Sequence, residues 1–524
     1  MQTVAQDPVA SSFHARHAIL ATDTTRFLQP TPSNRVPFTK LFATLGPSTN
    51  TYETIRSVIE AGATAIRMNF SHGTHESHTE LYNTVRKVSA DLKKEVAVMV
   101  DLQGPKLRCN RFPGGSIHLH TNATIDLVAS NEMGNDTTIT TPFEPMITHC
   151  QVGEPVLLDD GYIRLVISEK KSDRLVCKVI QGGELKDKKG INLPMTDLGP
   201  MPALSEKDRA DVEFALSNFD TDYFALSFVR NPEDVMELKA LIAQHGKKAQ
   251  IFAKIEKPES IRRLDDIIAV SDGILYARGD LAVEIGIAKV PFLQKHVTQR
   301  CQHFGVPICI CTQMLESMTK NLAPTRAEAS DVCNAVFDGA DAVMLSGECA
   351  SGSHPTEAVR MMIELLNETE IQLALSFPAA SSLAPHILKQ RDEYDGHDFQ
   401  QGSFEKASYK NIWKVCASAV SLVEQNKAKL IACVPSNSFE LRSLSSLQPQ
   451  IPVIAISTDK SLVRTTRVCR SAFGIFVDKE PSEADLKTIL VNEWPVLFKE
   501  EDTKSKPFVF IDFRSCTATT MYLP

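Results

Sequence analysis

QIFAKIEKPESIRRLDDIIAVSDGILYARGD, residues 250–280, holds one complete unit of the fold. It opens with a short apolar-rich run, QIFAKIE (250–256), that ends in charge. The next stretch, KPESIRRLDDIIAV, carries Ile261, Leu264, Ile267 and Ile268 at helical spacing. A second run, GILYARGD (273–280), ends in charge again. Short apolar runs read as buried strands, and the apolar spacing between them reads as an amphipathic helix. Strand, helix and strand in about 30 residues make a parallel β-α-β crossover.

Six further runs repeat the pattern. They are KLFATLG (40–46), AIRMNFS (65–71), VAVMVDLQG (96–104), YFALSFV (223–229), PICICTQ (307–313) and AVMLSGE (342–348). Helical stretches separate them. TYETIRSVIEAG (51–62) ends at Gly62. SEKDRADVEFALSN (205–218) starts with Ser205 as N-cap and acids in its first turn. PTRAEASDVCNAVFDGA runs from a proline to a glycine, and PTEAVRMMIELLNETE follows the eighth run. Eight strand-helix units predict an α/β fold, a (β/α)8 TIM barrel. A doubly wound open sheet is the structural alternative. The barrel is preferred because the count is eight and polar tips come from every part of the series.

The barrel is expected over 36–104 and 204–375, after an N-terminal segment, 1–35. Residues 105–203 have another texture: SIHLH, ATIDLVAS, DTTIT, PVLLDDGYIRLVIS and RLVCKVI read as short strands, with Asp160-Gly161 as a tight turn. They predict a small all-β domain hinged at Gly104-Pro105 and at LGPMPALS. From 376 to 524 an irregular stretch, PAASSLAPHILKQRDEYDGHDFQQGSF, precedes a helix near 411–426 and the runs LIACV, PVIAIST, GIFVD, PFVFIDF and TTMYLP. That is a third, α/β domain.

Composition narrows the function. A chain of 524 residues exceeds one core and predicts several domains. Its 43% hydrophobic and 23% charged residues are ordinary for a soluble protein. A net charge of −8 without a long basic run argues against nucleic acid. No run approaches the ~18 apolar residues of a membrane span. The 12 cysteines include no CxxC pair, which disfavours a zinc knuckle or a redox pair and favours reduced core thiols. The expected location is the cytoplasm. The N-terminal segment lacks an apolar h-region, although Arg16, Arg26 and several Ser/Thr leave an organelle transit peptide open.

The strand tips carry Arg67, Asn69, Ser71, Asp101, Lys254, Glu256, Arg278, Asp280, Thr312, Ser346 and Glu348. Strand C-terminal ends build the site of such barrels. Period two sets Lys254 and Glu256 on one side of a strand. Burying both is costly unless they are paired or metal-bound. Glu256 and Asp280 on neighbouring strands can hold a divalent ion, and Mg²⁺ takes one or two carboxylates plus phosphate oxygens and water. Arg67, Lys254 and Arg278 then offer positive charge to a phosphorylated substrate. Gly279 lets the backbone approach a ligand. His72, His75 and His78 in MNFSHGTHESH admit a zinc site, but a loop entering a capped helix is preferred, with one histidine in the site. KIE or RGD alone says little. Their joint occurrence in barrel order points to phosphoryl or enolate chemistry.

The stretches RMNFSHGTHESH, GPKLR, KKGINLP, ALSFV, KIEKPE, YARGDLAVEI, TQMLESM, PTRAEASDV and AVMLSGE together resemble pyruvate kinase, over about 36–524. The resemblance implies a barrel, an inserted β-barrel lid, a C-terminal α/β domain and assembly as a homotetramer. It implies transfer of phosphate from phosphoenolpyruvate to ADP, giving pyruvate and ATP, the last step of glycolysis. It implies Glu256 and Asp280 as ligands of Mg²⁺ or Mn²⁺, and Lys254 beside the transferring phosphoryl and the enolate oxygen. Arg67 is implied for phosphate, and Thr312 with the backbone at Ala277, Arg278 and Gly279 for the substrate carboxylate. Thr312 and Ser346 are implied in positioning or proton delivery. Asn69, His72, Arg108 and Lys189 resemble nucleotide contacts, with the choice between Lys188 and Lys189 open.

Three departures matter. In DLQGPKLR (101–108) Leu102 stands where K⁺-dependent members have Thr and Lys106 where they have Glu, and Leu102, Gln103 and Lys106 match a subgroup's Leu, Gln and Lys. The loop resembles that subgroup, which works without K⁺. Lys106 is the expected replacement for the ion at Asn69, Ser71 and Asp101, since an ammonium is a fixed point charge. Ala282 stands where the family usually has Gly. VPSNSFELRSLSS and the short link between FIDF and ATTMYLP make sugar-bisphosphate activation doubtful. A degenerate scaffold protein and an aldolase-like lyase are the competing functions. The intact tips oppose the first, and the lid with KKGINLP opposes the second.

Overall fold

Eight parallel strands close into one barrel in the computed structural model, which describes residues 35–199, 201–376, 406–498 and 505–524. The targeting reading of 1–34 and the irregular stretch 377–405 lie outside the described residues. Strands β1 (Lys40–Leu45), β2 (Ala65–Asn69) and β3 (Ala97–Asp101) precede the insertion. Eight strands of the insertion, β4 to β11, come next. The barrel resumes with β12 (Tyr223–Leu226), β13 (Gln250–Ile255), β14 (Gly273–Ala277), β15 (Ile308–Cys311) and β16 (Ala342–Leu345). β1 closes the ring on β16 in the register Lys40 to Ala342.

Period two sorts each strand into two cores. Leu41, Ala43, Ile66, Met68, Val98 and Val100 face outward and pack with the helix residues. Phe42, Ala65, Ala97, Met99, Tyr223, Phe252, Leu275, Cys309 and Met344 fill the interior. Phe252 spans that interior, edge-on to Phe42 and Tyr223. Gly273 makes room for it: a Cβ there would lie 2.4 Å from the ring. The inward series continues past the apolar layer into polar residues at the C-terminal ends, which is how the same strands that build the core also deliver the site.

Local signals act as expected at most helix ends. Ser205 and Asp208 form a capping box on the helix Glu206–Asn218, and Thr325 with Glu328 does so on Arg326–Asp338. Gly62 and Gly339 stop their helices at positive φ, 128° and 93°. Two readings need correction. KPESIRRLDDIIAV is two short helices, Pro258–Arg262 and Leu264–Val270, broken at Arg263 with φ −112°. The break turns Leu264, Ile267 and Ile268 into the core while Ile261 stays half-buried. GILYARGD is strand only to Ala277; Arg278–Ile285 is helical, so Asp280 sits in a helix's first turn.

The insertion is mostly β, but the expectation of an all-β domain needs correction: Pro145–His149 is a short helix, begun at a proline. Strands β7 (Pro155–Leu158), β8 (Ile163–Lys170), β9 (Arg174–Gln181), β5 (Thr124–Ala129), β6 (Thr138–Thr141) and β11 (Ile191–Asn192) form a six-stranded sheet. β4 (Ser116–Leu119) and β10 (Gly183–Lys186) pair separately. The insertion's two sheets wrap one core, shared by Ile117, Leu119 and Leu185 with Leu158 and Leu165. The chain crosses between sheets at Gly182, where a Cβ would lie 2.1 Å from the Leu119 carbonyl oxygen. Asp160-Gly161 lies in a four-residue loop, Asp159–Tyr162, with Asp159 and Asp160 at φ 49° and 53°. Gly104, where the chain leaves the barrel for the insertion, has φ 71°, and its N–H donates to the Asp208 carboxylate.

The C-terminal domain has β17 (Ile431–Cys433), β18 (Val453–Ser457), β19 (Ala472–Phe476), β20 (Pro507–Asp512) and an antiparallel edge strand, β21 (Thr517–Tyr522). Only residues 513–516 link the last two strands. The domain plugs the barrel's N-terminal end: Val468, Cys469 and Ala472 belong to the interior core. Lys40, inward at that end and 2% exposed, donates to the Ala472 carbonyl oxygen and lies over the Phe473 ring.

Candidate active site

Lys254 stands at the centre of the barrel's C-terminal end. Its ammonium lies 3.1 Å from Glu256 Oε1 and 3.5 Å from Asp101 Oδ1, and donates to Ser227 Oγ. Burial opposes its charge, but Asp101 and Glu256 outweigh burial and raise its pKa. Lys254 is therefore held as a cation where a neutral amine would otherwise be favoured. Asp101 gains from the same arrangement. Burial works against its charge, yet Lys254 and the Arg67 guanidinium, 2.6 Å away, hold its carboxyl below the usual range. Arg67 also donates to Thr44 Oγ1.

Glu256 is 1% exposed, and burial raises its pKa against the pull of Lys254. Its Oε2 accepts the Phe228 N–H. Its Oε1 makes no hydrogen bond, because the nearby Lys254 ammonium is out of line. That oxygen has the Lys254 ammonium 3.1 Å away but no directed hydrogen bond, which leaves a lone pair open to a further cation. Asp280 comes near enough to be felt by Glu256. Burial opposes its charge too, but Lys106 and Lys254 keep its carboxyl low. Two hard-oxygen donors, one lacking a hydrogen-bond partner, fit a divalent ion of the Mg²⁺ type. Among the described residues no group of three or more His, Cys, Asp and Glu forms a metal cluster.

Thr312 closes the opposite side. It follows β15 at φ 72°, and Gln313 follows at 55°. Two successive non-glycine residues in the left-handed region store strain of a kind found at functional sites. Thr312 Oγ1 accepts the Gly279 N–H at 2.8 Å. Its carbonyl oxygen accepts from Arg278, whose guanidinium also forms a two-oxygen pair with Asp331. The Arg278 side chain is thus already engaged by Thr312 and Asp331. Ser346 begins the short helix Gly347–Ala350, and its N–H donates to the fully buried Glu348.

The remaining sequence candidates lie around this centre. Asn69 Oδ1 accepts the Ser71 N–H, and the His72 N–H donates to the Asn69 carbonyl. His78 stacks on Phe70 and contacts the His72 carbonyl, while His75 pairs with Asp211. Both act in packing the entry to the helix His75–Asp91. Arg108 donates to the Lys188 carbonyl, and Lys189 pairs with Asp159 at 2.7 Å. Lys106 reaches Asp280 at 2.8 Å and Asp160 at 3.5 Å. Asp101, for its part, has Arg67, Lys254 and Ser227 as partners. Thr44 and Ser227 were not singled out in the sequence. The period-two register of their strands carried the signal, because both continue inward-facing series.

A family model for the pyruvate kinase barrel domain matches residues 36–359. The chain belongs to the pyruvate kinase family. A pyruvate kinase of Clostridium perfringens is 35% identical over 443 residues, 84% of this chain and 88% of that one. One of Staphylococcus aureus is 36% identical over 440 residues, 83% of this chain and 71% of that one. A crystal structure of a pyruvate kinase from Cryptosporidium parvum superposes with a TM-score of 0.86 at 29% identity, covering 96% of this chain and 100% of that one. Pyruvate kinases are phosphotransferases, so this chain is an enzyme of that class. Among the described residues no helix is long and apolar enough to cross a membrane.

Proposed function

We propose that this pyruvate kinase moves phosphate from phosphoenolpyruvate to ADP with Lys254 as its central catalytic residue. The observation that carries the assignment is a buried lysine kept charged by two carboxylates, one of which has an oxygen without a hydrogen bond. Phosphoryl transfer depends on positioning and charge neutralisation more than on covalent catalysis. Lys254 meets the charge that builds on the transferring phosphoryl and on the enolate oxygen. Arg67, held in place by Asp101 and Thr44, takes the phosphate. Thr312 and the backbone of Ala277, Arg278 and Gly279 receive the substrate carboxylate. Thr312 and Ser346 serve positioning or proton delivery to the enolate. Glu256 and Asp280 hold Mg²⁺ or Mn²⁺, which when bound neutralises phosphate and enolate charge.

On the nucleotide side the assigned residues are Asn69, His72, Arg108 and Lys189. The last two lie on the lid, so lid closure brings them to the nucleotide and excludes water. Lys106 is assigned the monovalent charge that other members take from K⁺, but it offers that charge from beside Asp280 and Asp160, not from among Asn69, Ser71 and Asp101 as the sequence led us to expect. We further propose a cytoplasmic homotetramer. Pyruvate formation from phosphoenolpyruvate and ADP, followed with and without Mg²⁺ and in Na⁺ or K⁺ buffer, tests both readings. Activity that depends on Mg²⁺ and is equal in the two buffers is expected. Strong activation by K⁺ refutes the role given to Lys106.

A further inference from the structure

We infer that Glu284 is a positioning residue of the active site: through Lys257 it sets the spacing of the two cation ligands, and through Asn192 it seats the lid. The inference rests on the reading of Glu256 and Asp280 as ligands and of Arg108 and Lys189 as nucleotide contacts. Asp280 and Glu284 lie four residues apart on the helix Arg278–Ile285, so they share a face. The Glu284 side chain is 1% exposed. Its Oε1 accepts from the Lys257 ammonium at 2.6 Å and from Asn192 Nδ2 at 2.8 Å.

Each partner leads back to the site. Lys257 directly follows Glu256. Its ammonium stands 6.0 Å from the centre of the Phe228 ring, and the Phe228 N–H donates to Glu256 Oε2. Phe228 holds that place at φ 58°, in the left-handed region. The Lys257–Glu284 pair therefore ties the end of β13 to the helix after β14, and the separation of Glu256 from Asp280 follows from it. Asn192 belongs to the lid by its backbone, since β11 pairs with β7. Its side chain crosses to the barrel, where its Oδ1 makes no hydrogen bond, so the bond to Glu284 fixes its orientation. Lys189 stands three residues earlier, and its carbonyl oxygen accepts the Cys109 N–H, next to Arg108. The lid meets the same helix twice more, with Lys106 at Asp280 and Gly161 beside Val283. One short helix thus presents a cation ligand and carries the base of the lid. A pair that only packed this helix would respond differently to mutation. Lys257 lies near enough to act on the Asp280 charge. By charge alone, removing its ammonium should tighten cation binding. Loss of a group that orients the ligands weakens it.

The test uses the full chain. Mn²⁺ affinity is measured by electron paramagnetic resonance without substrate or nucleotide, and KM is measured separately for ADP and for phosphoenolpyruvate. Lys257→Met should bind Mn²⁺ ~10-fold or more weakly. Asn192→Ala should bind Mn²⁺ like the wild type but raise KM for ADP several-fold, with KM for phosphoenolpyruvate unchanged. Lys257 is partly exposed, and Asn192→Ala leaves the Lys257–Glu284 pair intact, so both variants should fold, as circular dichroism checks. Should Lys257→Met fail to fold, Lys257→Gln carries the same test. Mn²⁺ binding by the Lys257 variant that equals or exceeds the wild type's, or an Asn192→Ala KM for ADP that stays unchanged, overturns the positioning role. Two controls separate that failure from failure of the readings beneath it. Asp280→Asn with wild-type Mn²⁺ affinity overturns the ligand assignment, and Lys189→Ala with a wild-type KM for ADP overturns the nucleotide assignment.

Discussion

At the scale of single residues, the site is an exercise in keeping charges buried. Lys254, Asp101 and Glu256 each bear a desolvation penalty, which pairing outweighs at Lys254 and Asp101 and only reduces at Glu256. Lys254→Met should lower kcat by at least ~10²–10³, the usual cost of one preorganised donor. The fold should persist, as judged by circular dichroism, since Met matches the stem. Near-normal turnover would remove Lys254 from its role. Thr312 offers a subtler test. Its Oγ1 fixes the Gly279 amide, so Thr312→Ala should loosen the first turn of the helix that carries Asp280. We expect weaker Mn²⁺ binding as well as a lower kcat, and a loss confined to kcat would contradict that coupling.

At the scale of elements, much of the barrel was legible because one signal, period two, serves both core and site. KIE put Lys254 and Glu256 on one side, and both do meet above the Phe252 layer. The misreadings have physical causes. Nothing in KPESIRRLDDIIAV marks Arg263 as a break, because the break answers to packing on the barrel wall. RGD follows its strand without a proline or an N-cap residue, so the helix start at Arg278 is silent in the sequence. The pairing of Arg278 with Asp331, 53 positions away, joins two units of the barrel that no local pattern connects. Two substitutions test the elements directly. Gly273→Ala forces a methyl against the Phe252 ring and should cost ~1–3 kcal/mol by urea denaturation. Ser205→Ala removes a cap and should cost ~1 kcal/mol. If Gly273→Ala proves neutral, the interior is less tightly filled than described.

At the scale of the whole molecule, the barrel depends on the domain beneath it. Lys40 is the test residue. Burial, with Arg467 close by, brings its pKa down to about 7. Between that value and the ordinary lysine pKa, the unfolded chain holds a proton that the folded protein has given up. Stability from this group therefore rises with pH across that window, by at most ~1.4 kcal/mol per unit. Below pH 7 the full cost of burying the ammonium is present. The stability of the wild type relative to Lys40→Met should thus increase from pH 7 to 9 in denaturant titrations. A difference that stays constant would show that Lys40 keeps its charge.

The plug also sets an order in time. Val468, Cys469 and Ala472 fill the floor of a barrel whose first strand holds Lys40, more than 400 positions earlier. During synthesis all eight barrel strands emerge before the residues that close their lower end. The nascent barrel must wait with an apolar mouth open, and a long-range contact of this kind is slow to form. The enzyme's own last third acts as the stopper for its first two, so a ribosome stalled near residue 376 should display a barrel that binds a hydrophobic dye and recruits chaperones, and completion of the chain should abolish both.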